Sequence, residues 1–342
     1  MRTWRDRGPW WWTSRAVLLL VTGVSLYLLA PGLIALFSSW HELAELSPVW
    51  LAAAIGFMAM SFVSLWEVQR IALRTPSWFA VGTSQLLGNA MGSIIPGGAA
   101  TASAFSYRML VRAGVDPGAV ASGVTASFLA TTAAVFLLPV LAVPAIIGAG
   151  APHGLLTTAY IGIAAFILLV GVGSFVLFWD PPLIWLGRAA RWAMSLVGKG
   201  DSVADLPARL VQQRDEIRLA FGNRWKMGVL AAVGNRGFDY IALVCCVSAV
   251  GARPNPALLL LAYAAQALLR MIPITPGGLG FVETGLTGLL ALAGVGAQDA
   301  VVATLAYRLI QFWLPLPIGG VAALLHRRRY GSSTPVSIAS PP

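Results

Sequence analysis

Two stretches of sequence 180 residues apart decide the fold: Met91-Gly92-Ser93-Ile94-Ile95-Pro96-Gly97-Gly98 and Met271-Ile272-Pro273-Ile274-Thr275-Pro276-Gly277-Gly278. The same offset aligns Ala113-Gly114-Val115 with Ala293-Gly294-Val295, and nine of the 25 positions from Met91 to Val115 are identical. A match at one fixed offset indicates an internal structural repeat. Because proline and glycine interrupt helices, each repeat is predicted to centre on a Pro-Gly-Gly break.

The sequence around both breaks is strongly apolar. Hydrophobic residues make up 58% of the 342 residues and charged residues only 11%, whereas soluble domains contain about 25% charged residues. A helix needs about 20 apolar residues to cross the bilayer, and in lipid it satisfies its own backbone hydrogen bonds. The sequence therefore predicts an all-α polytopic integral membrane protein with about six full spans. The spans are expected at 16–37, 49–66, 119–143, 157–179, 227–250 and 299–325.

Each Pro-Gly-Gly break separates two apolar arms that are short for a full span. The first arms are 79–95 and a stretch that reaches Arg108, and the second arms are 256–270 and 279–292. Broken helices of this kind occur where backbone is buried in protein or lines a cavity at membrane depth. We therefore predict two re-entrant helical hairpins. Their breaks are formed by Pro96, Gly97 and Gly98 and by Pro276, Gly277 and Gly278.

The basic residues predict how the spans are oriented. With the amino terminus in the cytoplasm, 19 of the 23 Lys and Arg residues fall on cytoplasmic segments, Arg253 falls outside and three lie at membrane depth. This asymmetry follows the positive-inside rule. The first hairpin then opens to the cytoplasm and the second to the outside, so the two repeats are inverted. Both termini are expected on the cytoplasmic side of a cell membrane.

The sequence predicts one transmembrane domain over residues 1–330. It contains repeat one at about 79–143, a cytoplasmic connection at 180–226 and repeat two at about 257–325. Residues 331–342 are rich in serine and proline and are predicted to be a disordered tail.

Composition also excludes several classes of function. The net charge of +10 is explained by the positive-inside rule and the anionic membrane surface, so no nucleic-acid partner is expected. Cys245 and Cys246 are adjacent in an apolar run, which supports neither a disulfide framework nor a zinc site. The sequence offers no nucleophile with a paired base, no metal-ligand cluster and no phosphate-cradling loop. We therefore expect no catalytic residues, no metal and no cofactor.

The second break resembles a known family signature. The stretch from Ile272 to Glu283 is similar to the motif of the flippase-like transmembrane domain of lysylphosphatidylglycerol synthases and their stand-alone relatives. In that pattern a Pro-Gly-Gly-Leu-Gly run precedes a glutamate, which matches Glu283. The first half resembles the upstream motif of the family in Asn89, in the Pro96-Gly97-Gly98 break and in Tyr107-Arg108.

The resemblance covers nearly the whole chain, from about Ala16 to Arg329. It implies the flippase-like membrane fold. No polar segment of the sequence is long enough to hold the soluble aminoacyl-transferase domain of the full synthases, so the protein is expected to act on a lipid made by another protein. One departure lies at Ala99-Ala100-Thr101-Ala102-Ser103, where many members carry an acidic residue and an arginine. That departure leaves the expected fold intact and leaves the substrate open.

Five ionisable residues fall within the predicted membrane segments: Arg236, Asp239, Arg270, Glu283 and Arg308. Each costs about 2.5–3.5 kcal/mol at the centre of a membrane helix, so each is a candidate substrate-binding residue. A spacing of three places Arg236 and Asp239 on one helix face, where they can form a local ion pair. Arg270 and Glu283 flank the second break and are expected to act as one unit.

Arg308 has no carboxylate nearby in sequence. A lipid phosphate would satisfy it through bidentate hydrogen bonds, and Glu283 or Asp239 would satisfy it if the fold brings them together. Gln85, Asn89 and Gln266 lie on the arms that lead into the breaks. These three side chains either hydrogen-bond a lipid headgroup or hold neighbouring helices together.

The leading hypothesis is a transporter that moves a charged lipid headgroup between membrane leaflets. The arginines fit the phosphate and the carboxylates fit an amine, as in aminoacylated or zwitterionic phospholipids, and a polyprenyl-linked saccharide is the other substrate class. Two alternatives remain: a membrane enzyme of lipid or cell-wall synthesis with Glu283 as general base, and a membrane partner that anchors a cytoplasmic synthase through 180–226. A lipid synthase or a glycosyltransferase is the expected protein partner.

The inverted topology predicts which sites face the outside of the cell. In a background without Cys245 and Cys246, single cysteines at Ala151 and Gly251 should react with a membrane-impermeant maleimide in intact cells, whereas cysteines at Gly200 and Ser332 should not. Equal labelling of Gly200 and Gly251 would place both on the same side and reject this topology.

Overall fold

The computed structural model describes residues 46–75, 77–95, 98–149, 220–271 and 276–331, with isolated positions between 160 and 219. The side chains of residues 99, 142–149 and 276 lie outside that description. Within the described ranges every regular element is a helix, which confirms the predicted all-α class. The helices are α1 Pro48–Ala72, α2 Trp78–Ile94, α3 Gly98–Arg112, α4 Pro117–Ala149, α5 Trp225–Ala249, α6 Pro256–Leu269, α7 Phe281–Leu292, α8 Ala297–Arg308 and α9 Pro315–Tyr330.

Four helical segments are long and apolar enough to cross a membrane: Pro48–Ala72, Pro117–Leu141, Gly222–Ala249 and Ala297–Tyr330. They coincide with four of the six predicted spans. The predicted spans at 16–37 and 157–179 lie outside the described residues, apart from isolated positions in the second. The same holds for the tail at 331–342 and for most of the connection at 180–226.

The arms around both breaks form short helices, as the sequence predicts. Helix α2 has 17 residues and α6 has 14, which at about 1.5 Å per residue is less than the roughly 30 Å of hydrocarbon. The start of each helix is fixed by a side-chain cap. Ser77 accepts a hydrogen bond from the amide of Ala80 at 3.2 Å, and Asn255 accepts one from the amide of Ala257 at 2.9 Å.

The two halves end their hairpins with the same turn. After α3, the amide of Gly114 bonds the Val111 carbonyl and the amide of Val115 bonds the Leu110 carbonyl. After α7, the amides of Gly294 and Val295 bond the carbonyls of Ala291 and Leu290, again at the offset of 180. Gly114 and Gly294 have φ of 85° and 95°, a left-handed conformation that favours glycine at a helix end. The repeated Ala-Gly-Val motif is therefore a repeated helix stop.

The helices also pack in matching pairs. Helix α9 lies on α2 of the first hairpin, and α4 lies on α6 of the second hairpin. Each hairpin packs its two arms together, and α1 packs closely against α5. The last helix of each half thus lies on the first arm of the other hairpin.

Helices α1 and α5 run antiparallel through the centre of the described fold. Asn235 donates to the Ser61 carbonyl at 3.0 Å, and the Phe57 and Phe238 rings stack at 6.3 Å. Further along α1, Glu67 lies 3.8 Å from Arg224, which precedes α5. Glu67 also pairs with Arg70 at 2.6 Å, so the three charged residues meet at one end of this helix pair.

Helix α9 approaches α2 closely because a glycine lies between them. A Cβ built on Gly319 would lie 2.7 Å from the Leu86 carbonyl oxygen and 2.6 Å from Ala90 Cβ, whereas one built on Gly320 would meet nothing within 4 Å. His326 joins α9 to both arms of the first hairpin. Its ring lies 2.7 Å from the Thr83 hydroxyl on α2 and 3.1 Å from the Met109 carbonyl on α3.

These contacts predict different effects for two adjacent substitutions. Gly319→Ala should lower the free energy of unfolding by about 1–3 kcal/mol, because the added methyl group overpacks the α2–α9 contact. Gly320→Ala should be neutral or stabilising by up to about 1 kcal/mol, because alanine is the better helix former. Denaturant-induced unfolding in detergent micelles would measure both, and equal losses would contradict the packing described here.

Candidate functional site

The helical backbone is interrupted at the second break by glycines with left-handed backbone angles. Helix α6 is capped by Arg270, and residues Pro276–Gly278 form a short 3-10 turn. Gly277 has φ of 62° and Gly278 has φ of 71°, where a Cβ would be strained. A Cβ on Gly277 would also collide with the Phe312 ring and lie 3.0 Å from the Ser93 carbonyl oxygen. The second break therefore fits against α2 of the first hairpin.

Arg308 is the central cation of this region. It is 1% exposed, and its Nε donates to Glu283 Oε1 at 2.7 Å. Its Nη2 donates to the Gly277 carbonyl at 3.1 Å, and its guanidinium lies 4.4 Å from the centre of the Phe312 ring. This one side chain thus joins α8 to the start of α7 and to the Pro-Gly-Gly turn.

A single π-helical turn at Leu309–Trp313 follows Arg308 directly. The amide of Leu314 bonds the Leu309 carbonyl at 2.8 Å, which is the i→i+5 pattern of such turns. They are rare and frequently lie at functional sites. Here the turn contributes Gln311 and Phe312, and both contact the guanidinium of Arg308.

Arg270 lies beside this cluster and is exposed. In the orientation that satisfies both ends of the Gln311 amide, its oxygen accepts hydrogen bonds from the Arg270 guanidinium. In the other orientation that oxygen lies 3.5 Å from Arg308 Nη1. Gln311 thus lies between the two arginines. Among the described residues no carboxylate pairs with Arg270.

Asp239 forms a second polar centre, 5% exposed. The Tyr263 hydroxyl of α6 donates to its Oδ2 at 2.8 Å, and the Tyr307 hydroxyl of α8 donates to its Oδ1 at 2.8 Å. Both tyrosines are fully buried. Tyr307 precedes Arg308 in the chain, so the two polar centres are adjacent.

Several buried polar atoms at this site have no hydrogen-bond partner among the described residues. They are Glu283 Oε2, Arg236 Nε and both polar atoms of the Gln266 amide. Gln266 is 0% exposed. Unsatisfied buried groups are uncommon in native structures and often mark a place where a ligand or water binds.

Two pairings that the sequence allowed differ from those in the structure. Arg236 and Asp239 do not form an ion pair, because Asp239 accepts from two tyrosines instead. Glu283 pairs with Arg308 and not with Arg270, because the turn brings Arg308 to the start of α7. For Arg308, the pairing with Glu283 that the sequence left open is the one found.

The polar candidates of the first hairpin lie on α2, where Gln85 and Asn89 are half-buried. Pro96 and Gly97 lie outside the described residues, while Gly98 begins α3 with φ of 46°. The five charged candidates all belong to the second half, where Arg236 and Arg270 interact electrostatically with Tyr263.

Sequence reasoning missed Tyr263, Tyr307, Gln311 and Phe312. Tyrosine and phenylalanine in an apolar helix do not stand out as ionisable residues do. The spacing held a signal for two of them, because Gln311 and Phe312 follow Arg308 by three and four positions, which places them on the same helix face.

The fold and the buried charges define a multi-pass helical membrane protein with a broken-helix site. The chain matches the model of the lysylphosphatidylglycerol synthase transmembrane region over residues 9–319. It belongs to that family.

Two relatives are described only as UPF0104 membrane proteins. One, from Methanothermobacter thermautotrophicus, is 33% identical over 150 residues, which are 43% of this chain and 42% of the relative. The other, from Pyrococcus horikoshii, is 33% identical over 98 residues, which are 29% of each chain. Each match therefore spans less than half of the relative.

The ion pair predicts strong coupling between two positions 25 residues apart. Glu283→Gln should lower the free energy of unfolding by about 3–5 kcal/mol, because it leaves the buried guanidinium of Arg308 unpaired. The double change with Arg308→Gln should lose less than the sum of the single changes. The measurement is a double-mutant cycle on denaturant-induced unfolding in micelles.

The matched control is the cycle of Glu283→Gln with Arg253→Gln, which should be additive within about 0.5 kcal/mol, because Arg253 is an exposed residue of the loop between α5 and α6. Strong coupling of Glu283 to Arg270 and none to Arg308 would overturn the assignment of the pair.

Proposed function

We propose that the protein is a lipid transporter that moves a phospholipid headgroup between the leaflets of the cell membrane. The observation that carries the proposal is the exposed guanidinium of Arg270 at the second break, beside a cluster of buried charges. Arg308 and Glu283 balance each other's charge, whereas no carboxylate among the described residues balances the positive charge of Arg270. An anion entering the break would neutralise that charge.

Arg270 rather than Arg308 is the proposed ligand of the phosphate. Arg308 is already held by Glu283, Gly277 and Phe312. The Arg270 guanidinium hydrogen-bonds the Gln311 amide and pairs with no carboxylate among the described residues. A guanidinium binds phosphate through two parallel hydrogen bonds. In this proposal Arg308 and Glu283 shape the turn, and Arg270 binds the moving headgroup.

The packing supports an arrangement of two inverted repeats. In transporters built from inverted repeats, equivalent helices run in opposite directions and broken helices meet near the midplane. Helices α1 and α5 occupy equivalent places in the two halves and are antiparallel. The Gly277 turn also approaches Ser93 near the end of the first arm of the other hairpin. We therefore infer that both hairpins enter the membrane from opposite sides, with cytoplasmic termini.

The headgroup that fits this site is a phosphate that also carries an amine. Glu283 Oε2 has no hydrogen-bond partner among the described residues, so it can accept from an ammonium group while Arg270 holds the phosphate. Zwitterionic and aminoacylated phospholipids have both groups, and membership of the lysylphosphatidylglycerol synthase family favours them. Polyprenyl-linked saccharides are the second substrate class. A lipid synthase or a glycosyltransferase that supplies the lipid is the expected partner, and the protein itself is proposed to act without catalysis.

The test is leaflet exchange of labelled phospholipids in proteoliposomes that contain the purified protein. Wild-type protein should accelerate exchange of an aminoacylated or zwitterionic phospholipid above that of empty vesicles. Arg270→Gln should slow exchange by roughly ten- to a hundredfold, because hydrogen bonds to a charged group contribute about 1.5–3 kcal/mol.

Arg253→Gln is the matched control, because it removes an exposed arginine from the loop between α5 and α6. That variant should exchange lipid at the wild-type rate. Wild-type exchange no faster than empty vesicles, with aminoacylated, zwitterionic and polyprenyl-linked lipids alike, would reject the proposed function. Equal exchange by wild type and Arg270→Gln would remove Arg270 from the site.

A further inference from the structure

Asp239 is a buried acid held by neutral groups. Its two carboxylate oxygens accept hydrogen bonds from Tyr263 and Tyr307, and no Lys, Arg or His of the described residues lies within ion-pair distance of it. An ionised carboxylate at membrane depth without a paired cation is expensive, and such residues in transporters mark ion paths and proton relays. Asp239 takes no part in the proposed binding of a lipid phosphate by Arg270.

We propose that Asp239, with Tyr263 and Tyr307, is a proton-binding site that couples lipid movement to a proton gradient. This inference rests on the proposed transport function and adds its energy source. The bound species is a single proton, taken from water on one side of the membrane and released to water on the other. The step forms one O–H bond on Asp239 and breaks it again, and it needs no other reactant.

Proton binding changes the hydrogen bonds that Asp239 can make to neighbouring helices. An ionised carboxylate only accepts hydrogen bonds, so both tyrosine hydroxyls donate to it. Once one oxygen carries a proton it becomes a donor, and the hydroxyl that donated to it must rotate away or accept instead. Protonation therefore alters a contact that α5 makes with α6 or with α8.

Those two helices carry the arginines of the headgroup site. Tyr307 is the residue before Arg308 on α8. On α6, Tyr263, Gln266 and Arg270 follow at spacings of three and four, which places them on one helix face. A change at Asp239 is thus transmitted directly to the helix that positions Arg270 and to the helix that positions Arg308.

Gln266 is a polar residue between the exposed end of the site and Asp239. It lies between Tyr263 and Arg270 on that face, is 0% exposed, and has neither amide atom hydrogen-bonded within the described part of the chain. An amide can both donate and accept hydrogen bonds. Gln266 can therefore hydrogen-bond water molecules that connect Arg270 to Tyr263. This role explains why an unpartnered amide is kept at membrane depth.

The titratable and charged groups around Asp239 come from three helices. Cys246 on α5, Tyr263 on α6 and Tyr307 on α8 interact electrostatically with Asp239. Arg236 and Arg270 act on the tyrosines, and Arg308 interacts with Tyr307. Glu283 on α7 acts through its pair with Arg308. The charged residues of α1, Glu67 and Arg70, lie towards its other end, and α4 carries no ionisable side chain. Phe57 is the α1 residue that packs next to Asp239, against Phe238.

A proton fits this site better than a metal ion. Hard cations such as Mg²⁺ and Ca²⁺ take about six or more oxygen ligands. No group of three or more His, Cys, Asp or Glu side chains comes together in the described part of the chain. Both Asp239 oxygens already hold hydroxyl donors, whereas a proton needs only one of them.

The first test observes the proton directly and needs no lipid transport. Infrared difference spectra of full-length protein in nanodiscs should show a carboxylic-acid band that grows as the pH is lowered. The band should be lost in Asp239→Asn and kept in Asp116→Asn, which removes an exposed aspartate that caps α4. Tyr307→Phe and Tyr263→Phe should shift the frequency of this band, whereas Tyr240→Phe should not, because that hydroxyl donates to the Pro256 carbonyl. A band absent from wild type, or unchanged in Asp239→Asn, would overturn the proposal.

The second test measures coupling in proteoliposomes. A proton gradient should drive labelled phospholipid into one leaflet with wild-type protein, and Asp239→Asn should lose that net accumulation while keeping exchange in both directions. A sodium gradient at constant pH should have no effect. Accumulation driven by sodium, or proton-driven accumulation by Asp239→Asn, would overturn the proposal. A titrating Asp239 band in a protein that exchanges no lipid would reject the transport function and support the proton site.

Discussion

The geometry of the second break depends on the ion pair between Arg308 and Glu283. Arg308 is 1% exposed at membrane depth, so its guanidinium must be satisfied inside the protein. Glu283 and the Gly277 carbonyl do this at 2.7 and 3.1 Å, which joins α7, α8 and the Pro-Gly-Gly turn. Because Arg308 is used for this purpose, Arg270 is left exposed without a carboxylate partner among the described residues.

The two halves share a backbone plan and differ in chemistry. Both end their hairpins with the same glycine stop, at Gly114 and at Gly294, and both place a long helix against the hairpin of the other half. The five charged candidates nevertheless all lie in the second half. The first hairpin instead offers the Ser93 carbonyl at the contact with Gly277. In this account the first half forms one wall of the site and the second half supplies its charges.

The sequence predicted the helices well and the pairing poorly. Helix arms and breaks follow from proline, glycine and hydrophobic runs, which act locally, and the described helices begin within a few residues of the predicted arms. Partners of charged groups are set by tertiary packing. Arg270 is closer to Glu283 in sequence than Arg308 is, yet the π-helical turn and the Gly277 contact bring Arg308 to the carboxylate. Likewise, nothing in the sequence around Asp239 identifies Tyr263 and Tyr307 as its partners.

The most direct test of the central claim is a cryo-electron microscopy structure of the protein in nanodiscs that contain an aminoacylated or zwitterionic phospholipid. We predict density for a phosphate within hydrogen-bond reach of the Arg270 guanidinium, with the pair between Arg308 and Glu283 intact. Phosphate density on Arg308 in place of Glu283 would contradict this account. An Arg270 side chain paired with a protein carboxylate would contradict it as well.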